Sequence, residues 1–172
     1  AKTVLEKVKV YVVKIQAAGA QGNFKQAIKI GLVVLKLLEV ILPEEPSQSD
    51  IQRGFQETAS LYAGQEIEEL INLPDMTEPE SQAAIYILSS ISAAAFTAAP
   101  ELMLLIVLSM VNLSIKYGHA TWSPFSYACQ GLILCGVFQD IELGYKFGKL
   151  GLTLVEQLNA KRGKARAFEV LG

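Results

Sequence analysis

His119 is the single imidazole in the sequence. It sits in a turn beside Gly118, with no Cys or acid cluster at metal-ligand spacing around it. A structural or solvent-exposed His is the reading this supports. Carboxylates do occur in pairs, Glu44-Glu45 beside prolines and Glu66, Glu68 and Glu69 on a short helix. Nothing sets one pair across a cleft from another, so they read as solvated. No G-x-x-x-x-G-K-[ST] phosphate loop, G-x-S-x-G elbow, H-R-D or D-F-G signature is present. Cys129 and Cys135 stand six residues apart on one predicted helix, point in different directions and do not bridge. They fit the small core residues of a reduced, cytoplasmic protein. The tail Lys161, Arg162, Lys164 and Arg166 has only Phe168 interleaved, a poor match to a nucleic-acid surface. The expectation is a chain without catalytic residues, cofactor or metal.

Four aromatic residues offer a different kind of chemistry. Tyr117 and Trp122 flank the turn at His119, and with Phe125 and Tyr127 they make a candidate partner groove. The same cluster could instead pack a helix corner. Small residues are the other informative set. Gly144, Gly148 and Gly151 are four and three apart, on one face of one helix. Each glycine in a helix interior costs about 1 kcal/mol relative to Ala. A neighbouring helix that approaches closely would offset this, and the helix expected from Ser123 to Phe138 is the candidate. Ile141, Val155 and Leu158 are expected to extend the same stripe.

The apolar spacing that must position these residues is helical nearly throughout. Helices are expected over 3–20, 24–42, 50–63, a short stretch ending near Ile71, 78–98, 100–117, 123–138 and 140–159. The tail 161–171 reads as a further helix. Asn23 with Gln26, and Thr77 with Glu80, have the spacing of capping boxes. Ser47 to Asp50 can cap the third helix, Ser123-Pro124 reads as N-cap plus first position, and Asp140 as a cap. Gly118 reads as the residue that ends a helix. Short connections make the neighbours antiparallel. No linker long enough to divide domains interrupts them.

Two stretches overlay at an offset of 117 residues, Gln21 to Gly31 and Phe138 to Gly148. Each has a polar cap, then an apolar residue, then small residues at matching places: Ala27 with Gly144, and Gly31 with Gly148. This is the logic of a tetratricopeptide repeat, with small residues where two helices cross. The fold expected is therefore all-α. It is a single domain, 1–172, of antiparallel helical hairpins stacked as a tetratricopeptide-like right-handed array. Beginning at Ala1 and ending at Gly172 after an apolar run, it reads as part of a longer protein.

Net charge is −2, which gives no general attraction to nucleic acid or anionic lipid. The distribution is uneven. Residues 1–42 carry seven Lys against two Glu, and residues 43–80 carry ten acids against Arg53 alone. Apolar residues make up 51%, enough to raise the question of a membrane hairpin over 83–113. Pro100 and Glu101 interrupt that stretch, and its strongest apolar run, Leu102 to Val111, is half the length of a span. Buried helices are the expected use of it.

Four runs carry a family resemblance: AKTVLEKVKVYVVKIQ, LPEEPSQSDIQ, AAPELMLLIVLSMVNLSIKYGHA and CGVFQDIELGYKFGKLGL. Together they resemble a helical region of large cyanobacterial multi-sensor signal transduction multi-kinases. Those proteins join a serine/threonine kinase, a STAND-like ATPase, a tetratricopeptide-like region, a GAF sensor and often a histidine kinase. The resemblance implies a cytoplasmic, non-catalytic scaffold that holds protein partners or neighbouring domains of its parent chain. A membrane-associated hairpin and a helical small-molecule binder are the alternatives.

Overall fold

The computed structural model describes residues 3–171, with side chains to Arg162. Lys164, Arg166 and Phe168 of the basic tail lie outside the described side chains. All regular elements among the described residues are helical: α1 (Val4–Ala20), α2 (Phe24–Leu37), α3 (Gln48–Tyr62), a 3-10 turn (Ile67–Asn72), α4 (Pro79–Ala98), α5 (Pro100–Tyr117), α6 (Ser123–Gly136) and α7 (Ile141–Leu171).

The helix starts are set by local chemistry. Thr3 and Glu6 form a capping box, with the Thr3 N–H donating to the Glu6 carboxylate at 2.9 Å. Ser47 and Asp50 form another at α3. Asn23 accepts from the Gln26 N–H at 3.3 Å, without a reciprocal bond from the Gln26 side chain. Asp140 accepts from the Leu143 N–H. Two expected caps are built differently. Glu78, not Thr77, caps α4, its carboxylate taking the N–H groups of Glu80 and Ser81. Trp122, not Ser123, precedes α6, because Ser123 Oγ is engaged with Ser114 Oγ at 2.7 Å and the Ala120 N–H at 2.8 Å.

Two boundaries differ by more than two residues. α2 ends at Leu37 rather than Leu42: Glu39 adopts φ 62°, and the Val40 N–H closes on the Leu35 carbonyl at 2.9 Å. The last helix does not break near Asn159, where no proline stands to stop it, and its backbone runs on to Leu171.

α1 packs on α2, both pack on α4, α4 on α5, α3 and α6 on α5, and α6 on α7. Two apolar cores result. The first joins α1, α2, α4 and α5 through residues such as Ile15, Leu35, Leu88 and Ile106. The second joins α5, α6, α7 and the 3-10 turn through Leu70, Val111, Tyr127 and Phe147. α5 serves both: Leu102, Ile106 and Met110 face the first core, Val107 and Val111 the second. This explains its apolarity around most of its circumference. α4 and α5 are both long and apolar enough to cross a membrane, and about half of each is buried inside the fold. α3 is tied across by ring contacts, Phe55 on Phe138 and Tyr62 on Phe147.

Candidate functional site

The α6–α7 pair is built on small residues. A Cβ added to Gly131 would lie 2.6 Å from the Gly144 carbonyl oxygen and 2.9 Å from the Gly148 nitrogen. One added to Gly144 would run into Cys135 and the Gly131 carbonyl, and one on Gly151 would lie 2.7 Å from the Pro124 carbonyl. Pro124 and Ala128 thus meet Gly151, while Gly131 and Cys135 meet Gly144, so the helices run antiparallel at close approach. Gly131 was absent from the sequence reading. Its signal was available: Pro124, Ala128, Gly131 and Cys135 stand four, three and four apart, matching the four-three spacing of Gly144, Gly148 and Gly151.

The three α7 glycines are not equivalent. The Gly148 backbone lies at the crossing, yet its own Cβ would meet nothing within 4 Å. Nor do Ile141 and Val155 extend the buried stripe, for they are 63% and 42% exposed. The buried line of α7 is Phe147, Leu150 and Leu154, a turn-face away. The overlaid N-terminal residues act elsewhere. Ala27 is buried in the first core, and a Cβ on Gly31 would lie 2.5 Å from Ile91 Cγ2 of α4. Gly31 therefore serves a contact between successive helix pairs, whereas Gly144 serves one within a pair.

The four aromatics are not brought together. Tyr127 is fully buried in the second core, 3.2 Å from His119 Nε2 through its hydroxyl. Tyr117 lies on another side, in a hollow of about 450 Å³ with Glu39, Glu57, Glu78, Glu80 and Lys116. Trp122 and Phe125 alone remain paired at the surface, edge to face at 6.3 Å between centroids. The expected four-residue groove is corrected to a two-residue one: helical spacing turns Tyr127 inward from Phe125.

Trp122 and Phe125 frame a notch of about 420 Å³ between α6 and α7. Gly148 and Gly151 form part of its wall, and the open Cβ side of Gly148 helps to keep it hollow. Leu152 and Val155 continue the apolar wall at 62% and 42% exposure, and Arg162 also lines the notch. No protein-family model, curated protein or solved structure matches the chain.

Beside the notch, sharing Thr121, Trp122 and Leu158, lies a second hollow of about 490 Å³ that reaches His119, Gln82 and Tyr86. His119 is buried, not solvent-exposed. Its backbone pairs with the Pro74–Met76 loop: its N–H donates to the Pro74 carbonyl and its carbonyl accepts from the Met76 N–H, both at 2.8 Å. Burial pushes its imidazole below the ordinary 6.5, with Asp75 opposing and Lys161 adding to the shift. Burial also pushes the Tyr127 phenol up. Both rings are neutral near pH 7, so the pair is a structural hydrogen bond rather than an ion pair. Among the described residues, no three His, Cys, Asp or Glu side chains converge to hold a metal. Cys129 and Cys135 are both free and half-buried.

Proposed function

We propose that this chain is a non-catalytic interaction and regulatory scaffold of a large cytoplasmic signalling ATPase-kinase, built as a tetratricopeptide-like array. The supporting observation is the Trp122–Phe125 notch, whose apolar wall of Leu152 and Val155 faces solvent on a tightly packed helix pair. Exposed aromatic and aliphatic residues beside a preformed hollow are the usual anchors of protein recognition. The helix pairs α1–α2, α4–α5 and α6–α7 support the array reading, with α3 set outside them against α5. The signalling context rests on the sequence resemblance alone.

In this reading the notch receives a neighbouring domain in one state of the parent protein, and a ligand with unequal affinity for the two states shifts the balance. The test is binding of this chain to the STAND-like ATPase domain of such a parent, with and without nucleotide. Nucleotide-dependent binding that Leu152→Glu removes is the expected result. Absence of binding in both states would overturn the regulatory arm.

The membrane-hairpin reading draws on the length and apolarity of α4 and α5. It would require both helices to leave cores in which Ile87, Leu88, Ile91, Leu102 and Ile106 are fully buried. Flotation of the purified chain with lipid vesicles tests it directly.

A further inference from the structure

A second surface, on different helices from the notch, has a chemistry that specifies its occupant. Where α2 ends, the chain folds back along it, and a groove of about 450 Å³ lies between the two. Its apolar lining is Leu32, Val33, Ile41 and Leu42, with Val33 55% and Ile41 75% exposed. Lys29 and Lys36 also line it, and Lys25 stands exposed one turn before Lys29. The one acid in the lining is Glu44, 3.8 Å from Lys29, with both side chains more than half exposed. Such a pair is held weakly and exchanges readily.

We propose that this groove docks a short acidic segment of another protein, which places an apolar side chain between Val33 and Ile41 and its carboxylates on Lys29 and Lys36. Charge selects the partner. The α1–α2 pair carries six lysines against Glu6, and the Glu6 carboxylate is engaged at the Thr3 cap. The apolar lining lies in a groove between α2 and the returning chain, which suits an inserted peptide side chain. In the free protein Glu44 holds the place of a partner carboxylate on Lys29, so its removal favours docking.

The probe is a fluorescent synthetic peptide of leucine and isoleucine flanked by glutamates, with a lysine-flanked control, followed by anisotropy. The acidic peptide is expected to bind and to weaken as salt rises. Lys29→Glu with Lys36→Glu weakens it about tenfold or more, Ile41→Ser weakens it, and Glu44→Gln tightens it about threefold. All these residues are exposed, so circular dichroism and the melting temperature should stay unchanged in each variant. Three outcomes overturn the proposal: no binding at millimolar acidic peptide, equal binding of both peptides, or tighter binding to anionic vesicles than to peptide. Self-association that Lys29→Glu removes, without peptide binding, would assign the surface to a second copy and overturn it too. None of these results bears on the Leu152 test of the notch, so the two readings fail separately.

Discussion

The hydroxyl of Tyr127 lies 3.2 Å from Nε2 of His119, where α6 meets the turn that follows α5, and both side chains are buried. The burial of His119, more than the contact itself, gives the protein a pH dependence with a definite sign. The folded imidazole has a pKa below 6.5, near which an unfolded histidine titrates. Between the two values the unfolded chain binds more protons, so stability falls on acidification through about 6.5. The urea midpoint should drop between about pH 7.5 and about pH 5.5, and His119→Gln should flatten that drop. Asp50 and Glu78 also have lowered pKa values, but their contribution disappears in a separate window, below their ordinary 3.8 and 4.5.

The glycines of the α6–α7 pair should separate by substitution. Gly144→Ala and Gly131→Ala force backbone apart and are expected to cost about 1–3 kcal/mol. Gly148→Ala meets nothing, and should gain about 0.5–1 kcal/mol from helix propensity while narrowing the notch. Denaturant unfolding of the three variants checks the order.

Gly118 should tolerate nothing larger. It adopts φ 99°, and its missing Cβ faces the Pro74 carbonyl and the Asp75–Met76 peptide. Gly118→Ala is expected to cost about 1–3 kcal/mol and to loosen the loop beside His119. Faster proteolysis within 73–77 would report it.

The length and type of the elements were legible because apolar period and caps act locally. α1, α4 and α5 fall within a residue of expectation, and prolines at 79 and 100 mark two starts. The small-residue stripe of α7 was legible as a close approach, since three interior glycines are costly without one. What sequence spacing lacked was direction across the molecule. Phe125 and Tyr127 are two apart in a helix, so one faces water and the other the core, and Tyr117 ends on another hollow. The expected capping at Ser123 failed for a related reason: its hydroxyl is claimed by Ser114, nine residues away. The turn after Leu37 was missed because Glu39, a residue with no special preference for positive φ, makes it.

Gln130 offers a stabilising change. It is fully buried on α6, and neither its Nε2 nor its Oε1 has a hydrogen-bond partner. Replacing an unsatisfied buried amide by an apolar group of similar size removes a desolvation cost of about 1–3 kcal/mol. Gln130→Met should raise the melting temperature. A lowered value would mean that the amide is satisfied by groups it reaches in solution.

α5 stands as a party wall, one face in each core. Neither side of the molecule can melt without stripping it of half its cover. The amides at its centre should therefore exchange with deuterium at the rate of global opening, and last of all. A ligand that tightens either flank would slow that exchange, and so register at the other.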